Sequence, residues 1–526
     1  MLSIMFWGFI LRFVQCLAQA SPFILCGFIA AAVLKRFFGY QETRRLFGGD
    51  GRWGLLRAWI IGMLLPVCSL GVVPMLRELK RAGLAGGTIL AFAMAAPLFN
   101  PLSLLYGLTL SEPIAIVCFA GCSLVIVTII GTLFDRLHGN SSDTEIQLPP
   151  APFGIRRMLA VGVTCALEAT GPSLVIIFVG LAGVALLGAV IPAGGFQHAF
   201  NSDNAAAPLL MMAMAIPVYA TPMQAMSQLG MMFQHANSIG AAFVLLILGA
   251  GMNLGLVYWL WREYGTKRTL SFMAMLLTVV VALAYGIQDP LFPKDIEPAN
   301  HTHAFDIYSQ PFHSSVSTGS LPSLTAEKLS RDIQIFEWHS LKLLAGLAAI
   351  GVVLRVADPK KRLEAWIEQR PEEATTPRMD LILPPSVIGL FCLGVLVAVS
   401  VAGCYAYYPT AREALAEMYI IRGEALTAAR TGQKAEAEYW IDLYADWSRK
   451  MEVGVYLREW NLSEYHRWKA RLLREQLELL KHEVEDDEKD EVRKLCLHLG
   501  RTHARMRSAF TDELESSGNA VVSGAQ

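Results

Sequence analysis

Pro66-Val-Cys-Ser-Leu-Gly-Val-Val-Pro74 and, a little further on, Ala95-Ala-Pro-Leu-Phe-Asn-Pro101 set helix breakers and polar side chains inside segments otherwise apolar enough to lie in a bilayer. A broken backbone facing lipid would leave peptide groups unpaired, each at a cost of several kcal/mol, so such a break has to line a cavity within protein or one that holds water. That is the chemistry of a transport site.

The pattern recurs. Pro217-Val-Tyr-Ala-Thr-Pro222 begins 151 residues after Pro66 (217 − 66), and Gly249-Ala-Gly-Met-Asn253 ends 153 residues after Asn100 (253 − 100). Ser21-Pro22 and Gly171-Pro172, near the middle of the apolar run that opens each copy, are offset by 150 (172 − 22). Landmarks at nearly constant spacing argue for a duplicated unit, and paired Gly/Pro-interrupted apolar segments in two halves point to a binding site near the bilayer midplane.

Composition agrees. Of 526 residues, 54% are hydrophobic and 17% charged, with a mean hydropathy of +0.42; a soluble protein typically carries about 25% charged residues. A net charge of −1 with no dense basic block excludes a nucleic-acid partner. The nine cysteines lie mostly in apolar runs and form no close C-x-x-C pair, so they read as packing thiols rather than a disulfide framework or zinc site, with a second reading open for Cys68. The first residues lack the basic region of a cleavable signal and read as a retained first span.

Apolar runs near the length of a bilayer core fall at 11–34, 88–110, 113–134, 161–190, 241–261, 270–287, 341–354 with its flanks, and 387–407. Two shorter pieces surround the breaks at Pro66 and Pro217. If both enter and leave by one face, every basic loop (35–57, 77–81, 136–157, 262–268 and 355–378) is cytoplasmic, and the stretches without Lys or Arg, 192–204 and 223–237, face out. Arms of about ten residues at 1.5 Å each also reach only the middle of a core about 30 Å thick. The expected fold is therefore an all-α polytopic membrane protein of the cell inner membrane. It has two inverted repeats, 1–150 and 151–288, each of three spans plus a re-entrant helical hairpin. An extracytoplasmic loop (289–337), two further transmembrane helices (338–408) and a soluble helical C-terminal domain (409–526) follow.

The elements Pro66-Val-Cys-Ser-Leu-Gly-Val-Val-Pro74, Gly83, Gly86 and Ala96-Pro-Leu-Phe-Asn100-Pro101 resemble the signature of the predicted permeases that include the organoarsenical efflux permease ArsP. The likeness covers about residues 11–287 and is tightest in the first half. In the second, Tyr219-Ala220-Thr221 stands in place of a Cys-containing tip, and Leu70 stands where the family often has a second thiol. The resemblance implies an inner-membrane efflux permease.

Cys68 offers sulfur to a thiophilic metalloid or organoarsenical, or is a small buried packing residue. Asn100 and Asn253 occupy equivalent breaks and either cap exposed backbone or bind substrate. Ser69, Thr221, Gln224, Ser227 and Gln228 either line the pathway or bridge helices. Glu168 is the one acid well inside an apolar run of the duplicated core, a candidate for carrying a coupling proton or an acid at the cytoplasmic interface. His301, His303 and His313 lie in the outer loop and are not expected to hold a metal.

From 411 to about 515 the chain alternates good helix formers with apolar residues at helical spacing, and Trp440, Tyr444, Trp447, Tyr456, Trp460, Tyr465 and Trp468 are the expected core of a helical bundle. That domain is expected to dock a periplasmic partner or a second protomer. No phosphate-binding loop, His-Glu-x-x-His or Gly-x-Ser-x-Gly element occurs, so neither an enzyme nor a cofactor is indicated. The sequence thus predicts a secondary permease for a small solute, with a membrane-anchored sensor or scaffold acting through its C-terminal domain as the alternative.

Overall fold

The computed structural model describes residues 2–49, 53–111, 113–139, 155–293, 296, 298–299, 301–312, 316–368, 384–460 and 462–523; His313 and much of the loops 136–157 and 355–378 lie outside these. Regular structure among the described residues is helical throughout. The chain divides into two compact units, one of Met1–Leu104 with Ile114–Ser400, the other of Leu105–Pro113 with Val401–Gln526.

Along the chain α1 (Leu2–Val33) runs without a break past Pro22 and continues through a π-helical turn (Leu34–Phe38) into α2 (Gly39–Leu46). Next come α3 (Gly54–Leu64) and α4 (Val72–Arg81), then α5 (Gly86–Ala95), α6 (Pro101–Leu110) and α7 (Pro113–His138). There follow α8 (Ile155–Ala169), α9 (Pro172–Val190), α10 (Ala207–Ala215), α11 (Pro222–Gln234), α12 (Ile239–Val244) with a π turn (Leu245–Ala250), α13 (Leu254–Tyr264) and α14 (Thr266–Gln288). After them stand α15 (Leu321–Asp332), α16 (Ile335–Ala357), α17 (Arg362–Glu368) and α18 (Pro385–Tyr407). The interruptions fall where the sequence places Pro and Gly: at 65–71, 96–100, 170–171, 216–221 and 251–253. Pro22, by contrast, stays inside α1.

Among the described residues six helices are long and apolar enough to cross a membrane, and the pair Ile239–Ala250 and Leu254–Tyr264, bent by 55°, makes a seventh if counted as one span. Their outer faces are covered with large apolar side chains: Ile114 is 75% exposed and Phe391 70%. Apolar surface in such quantity is stable only against lipid.

Helix α1 and the pair α8–α9 run antiparallel. Arg36 donates to the Thr164 hydroxyl at one end (3.0 Å), Phe13 packs on Phe178, and Gly188 lies against Arg12 at the other end. The segment carrying α3 and α4 starts and finishes beside the Arg36 end, with Gly54 against the Phe47 carbonyl and Glu78 and Arg81 facing Lys35. Its middle, Gly71, packs on Phe23 and Ile24 so closely that a Cβ on Gly27 or Gly71 would strike backbone. The segment carrying α10 and α11 starts and finishes at the opposite end. There the Tyr285 hydroxyl donates to the Ala205 carbonyl (2.7 Å) and the Ser238 amide to the Phe200 carbonyl (3.0 Å). Its middle, at Pro217, meets Gly183 of α9.

The second unit contains the bundle of α19 (Ala411–Thr431), α20 (Lys434–Glu459), α21 (Glu464–Glu485) and α22 (Lys489–Ser523), with α19 packing against both α20 and α22. A capping box between Thr410 and Glu413 starts α19, and Gly432, left-handed at φ 72°, ends it. The core is Leu, Ala and Met around Tyr444, with Trp440, Trp447 and Tyr456 half-buried against it. Trp460, Tyr465 and Trp468, expected in that core, instead stand 75%, 55% and 54% exposed. Alanines such as Ala414, Ala425, Ala437 and Ala470 bring the helices too close together for further aromatic rings.

Candidate substrate site at the helix breaks

The two breaks converge. Cys68, in the first, and Tyr219, in the second, are both fully buried, and the Tyr219 hydroxyl faces the Cys68 thiol within interacting range while completing no hydrogen bond among the described residues. The thiol also accepts from the Gly71 amide (3.3 Å), which ties it to the start of α4. Thr221 does the equivalent service for α11, its hydroxyl accepting from the Gln224 amide (3.2 Å).

Asn100 and Asn253 are both helix caps. The Asn100 Oδ1 accepts from the Ser103 amide (2.8 Å), and the Asn253 Oδ1 accepts from the Leu256 amide (3.0 Å), again 153 residues on. Ser103 reciprocates by accepting from the Asn100 amide (3.0 Å). Their side-chain amino groups differ. Asn253 Nδ2 donates across to the Ser69 hydroxyl at the other break (2.7 Å), whereas Asn100 Nδ2 has no partner among the described residues. The two Gln224 amide atoms and Gln228 Nε2 are likewise buried without a partner among the described residues. Buried amides cost about 1–3 kcal/mol each when unpaired, and these stand at the cap of α6 and in the first half of α11.

A third correspondence lies at the entrance of the later helices. The Gly87 amide donates to the Asp135 carboxylate (2.7 Å) and the Gly240 amide to the Gln288 side-chain oxygen (2.7 Å), each bond spanning 48 residues.

At the Arg36 end, Arg77 of α4 pairs with Glu168 of α8 (3.0 Å), and Ser173 donates to the same carboxylate (3.1 Å) while accepting from Arg77. A cavity of about 500 Å³ opens there, lined among others by Lys35, Arg77, Arg81, Arg355 and Lys361 and by the carboxylates Glu168, Asp358 and Glu364. Five of these are cations.

A family model described as a predicted permease matches residues 6–288. The chain belongs to the predicted permease family. The UPF0718 protein YcgR of Bacillus subtilis (strain 168) is similar to it, 23% identical over 281 residues that make up 52% of this chain and 93% of YcgR. No solved structure matches. The matched residues contain both breaks, so the permease is a multi-pass transmembrane transport protein by family as well as by its apolar helices.

The structure brings Cys68, Ser69 and Asn253 of the permease into one cluster with Tyr219, and sets Thr221 as a cap beside them. Glu168 is elsewhere, in the ion pair at the mouth. Sequence reasoning missed Arg77 as its partner, because an arginine in a basic loop reads as topology rather than as a ligand. Tyr219 was noted only as a replacement for cysteine; its position 151 residues after Cys68 (219 − 68) was the available signal. Tyr308, which donates to the Gln228 side chain (3.1 Å), had none, since it comes from an irregular loop.

Proposed function

We propose that this chain is a secondary permease of the cell inner membrane that exports a small solute by alternating access around its two helix breaks. The single observation that carries the reading is the meeting of those breaks, with Asn253 bonded to Ser69 and Tyr219 facing Cys68. The opposite entry of the two broken segments, the antiparallel pairing of α1 with α8–α9 and the repeated caps support an inverted duplication. Each copy has three spans and one re-entrant hairpin, with the tail from 409 onward as a separate helical domain.

Substrate is held by Cys68, Ser69, Asn100, Thr221, Gln224 and Asn253. Sulfur among neutral amides and hydroxyls suits a thiophilic metalloid or organoarsenical, because soft centres prefer thiolate and the amides can bind oxygen on the same cargo. Glu168 serves as the proton-coupling group, held in this arrangement by its contact with Arg77 and released when that contact opens. The C-terminal domain docks a second protomer or a periplasmic partner.

The test is accumulation of trivalent organoarsenicals, other thiophiles and divalent metals in cells expressing the chain, with Cys68→Ser and Asn253→Ala alongside. Lower accumulation of a thiophile, lost in both variants, is the expected result. Equal accumulation of every compound with and without the chain overturns the reading.

A further inference from the structure

The family match ends at residue 288, yet residues 301–312 of the loop beyond it are built into the first unit. Arg12 of α1 donates through Nη2 to the Asp306 and Ser309 carbonyls (3.0 Å each) and through Nε to the latter (3.3 Å). Gln310 donates its backbone amide to the Ile191 carbonyl (2.8 Å) and its side-chain amide to the Ala189 carbonyl (2.8 Å). Thr302 donates to the Gln197 carbonyl (3.0 Å), and Phe305 stands edge-on to Phe200, 4.7 Å between centroids. These bonds hold Tyr308 at 0% exposure, its hydroxyl donating to Gln228 of α11 and within electrostatic reach of Tyr219.

Position 228 follows position 77 by 151 residues (228 − 77), the same step that separates Pro66 from Pro217. At one end of the breaks that position is Arg77, closed by Glu168. At the other it is Gln228, closed by Tyr308. We propose that residues 301–312 are an outer gate added to the family's transport unit, with Tyr308 as the plug and a wall of the substrate chamber. This rests on the permease reading. The strap is fastened by hydrogen bonds to backbone carbonyls, which water can replace one at a time, and by the buried rings of Phe305, Tyr308 and Phe312, which have to leave their pockets together when it opens. Gln228 Nε2, with no partner among the described residues, and the Tyr308 hydroxyl give the closed chamber a polar outer wall for an oxygen-bearing part of the cargo.

The experiment needs no cargo. Intact cells expressing the full chain are treated with a membrane-impermeant maleimide, and modification of Cys68 is followed by mass spectrometry of its peptide. In the unaltered protein Cys68 reacts slowly. Tyr308→Ala removes the plug and Arg12→Gln unfastens the strap, and each raises the rate by about tenfold, the factor expected when one or two hydrogen bonds leave a closed state. Tyr308→Phe keeps the volume and raises it less. Fast labelling of the unaltered protein, or unchanged labelling in all three variants while they remain monodisperse in detergent, overturns the gate. An absence of transport with labelling that still responds to Tyr308 sinks the permease reading and leaves the gate standing.

Discussion

Arg77 of α4 and Gln228 of α11 stand 151 residues apart (228 − 77), each on the helix that follows a break, and their chemistry is different. Arg77 meets a carboxylate and a hydroxyl beside a cation-rich cavity; Gln228 meets a neutral phenol in a sealed interior. The asymmetry recurs at the caps, where Asn253 spends its second hydrogen-bonding group on Ser69 and Asn100 keeps its own unspent. The caps at Asn100 and Asn253 follow one pattern and hold their helices, whereas the contacts made by Ser69, Arg77 and Gln228 differ. An alternating machine needs such contacts on its two sides to differ, since equal ones would leave neither side favoured.

The largest effect expected lies outside the repeated plan and calibrates it. Glu452 and Arg474, buried in the bundle and bonded to each other, with Arg474 also donating to the Ser448 hydroxyl, have no counterpart in the membrane unit's breaks. Glu452→Ala leaves a buried guanidinium unpaired, and a loss of about 3–5 kcal/mol is expected in bundle stability. Thermal unfolding followed by tryptophan emission should show it, with Cys68 labelling unchanged; altered labelling would mean that the two units are coupled.

Within the plan, Arg77→Ala or Glu168→Ala should each cost about 1–3 kcal/mol, discounted for partial exposure. The Arg77→Ala/Glu168→Ala double variant should lose clearly less than the sum of the two single losses in a double-mutant cycle. Additive losses would show that the pair is not a unit. Asn253→Ala removes a cap and the partner of Ser69, about 2 kcal/mol together, against about 1 kcal/mol for the cap alone in Asn100→Ala. Equal losses in thermal stability would erase the asymmetry. Cys68→Ser keeps a small acceptor for the Gly71 amide, so its stability should move by less than about 1 kcal/mol while binding of a trivalent arsenical, read by quenching or calorimetry, falls steeply.

Much of this was legible in the chain. Prolines and glycines inside apolar runs located the breaks, because a missing amide or a missing Cβ acts through local backbone physics that neighbours cannot undo. Even so Pro22 left α1 whole while Gly171-Pro172 divided α8 from α9; a glycine before the proline releases the backbone, and Ser21 instead donates to the Ala18 carbonyl (2.7 Å) inside the helix. Asn100 and Asn253 could be named from spacing, but which one bonds across depended on Ser69 having a hydroxyl opposite it. The partners Arg77 and Tyr308 were out of reach, since both are set by the docking of distant segments, and so was the exposure of Trp460 and Trp468, which hydrophobicity alone assigns to a core.

The most direct measurement replaces Tyr219 with cysteine and treats intact membranes with a short bifunctional thiol reagent. If the two breaks meet, Cys68 and Tyr219→Cys become bridged within one chain, the linked peptides 66–74 and 217–222 are recovered together, and transport stops until the bridge is cleaved. Two thiols that react singly and never bridge would place the breaks apart, and the account of a site between them would be wrong.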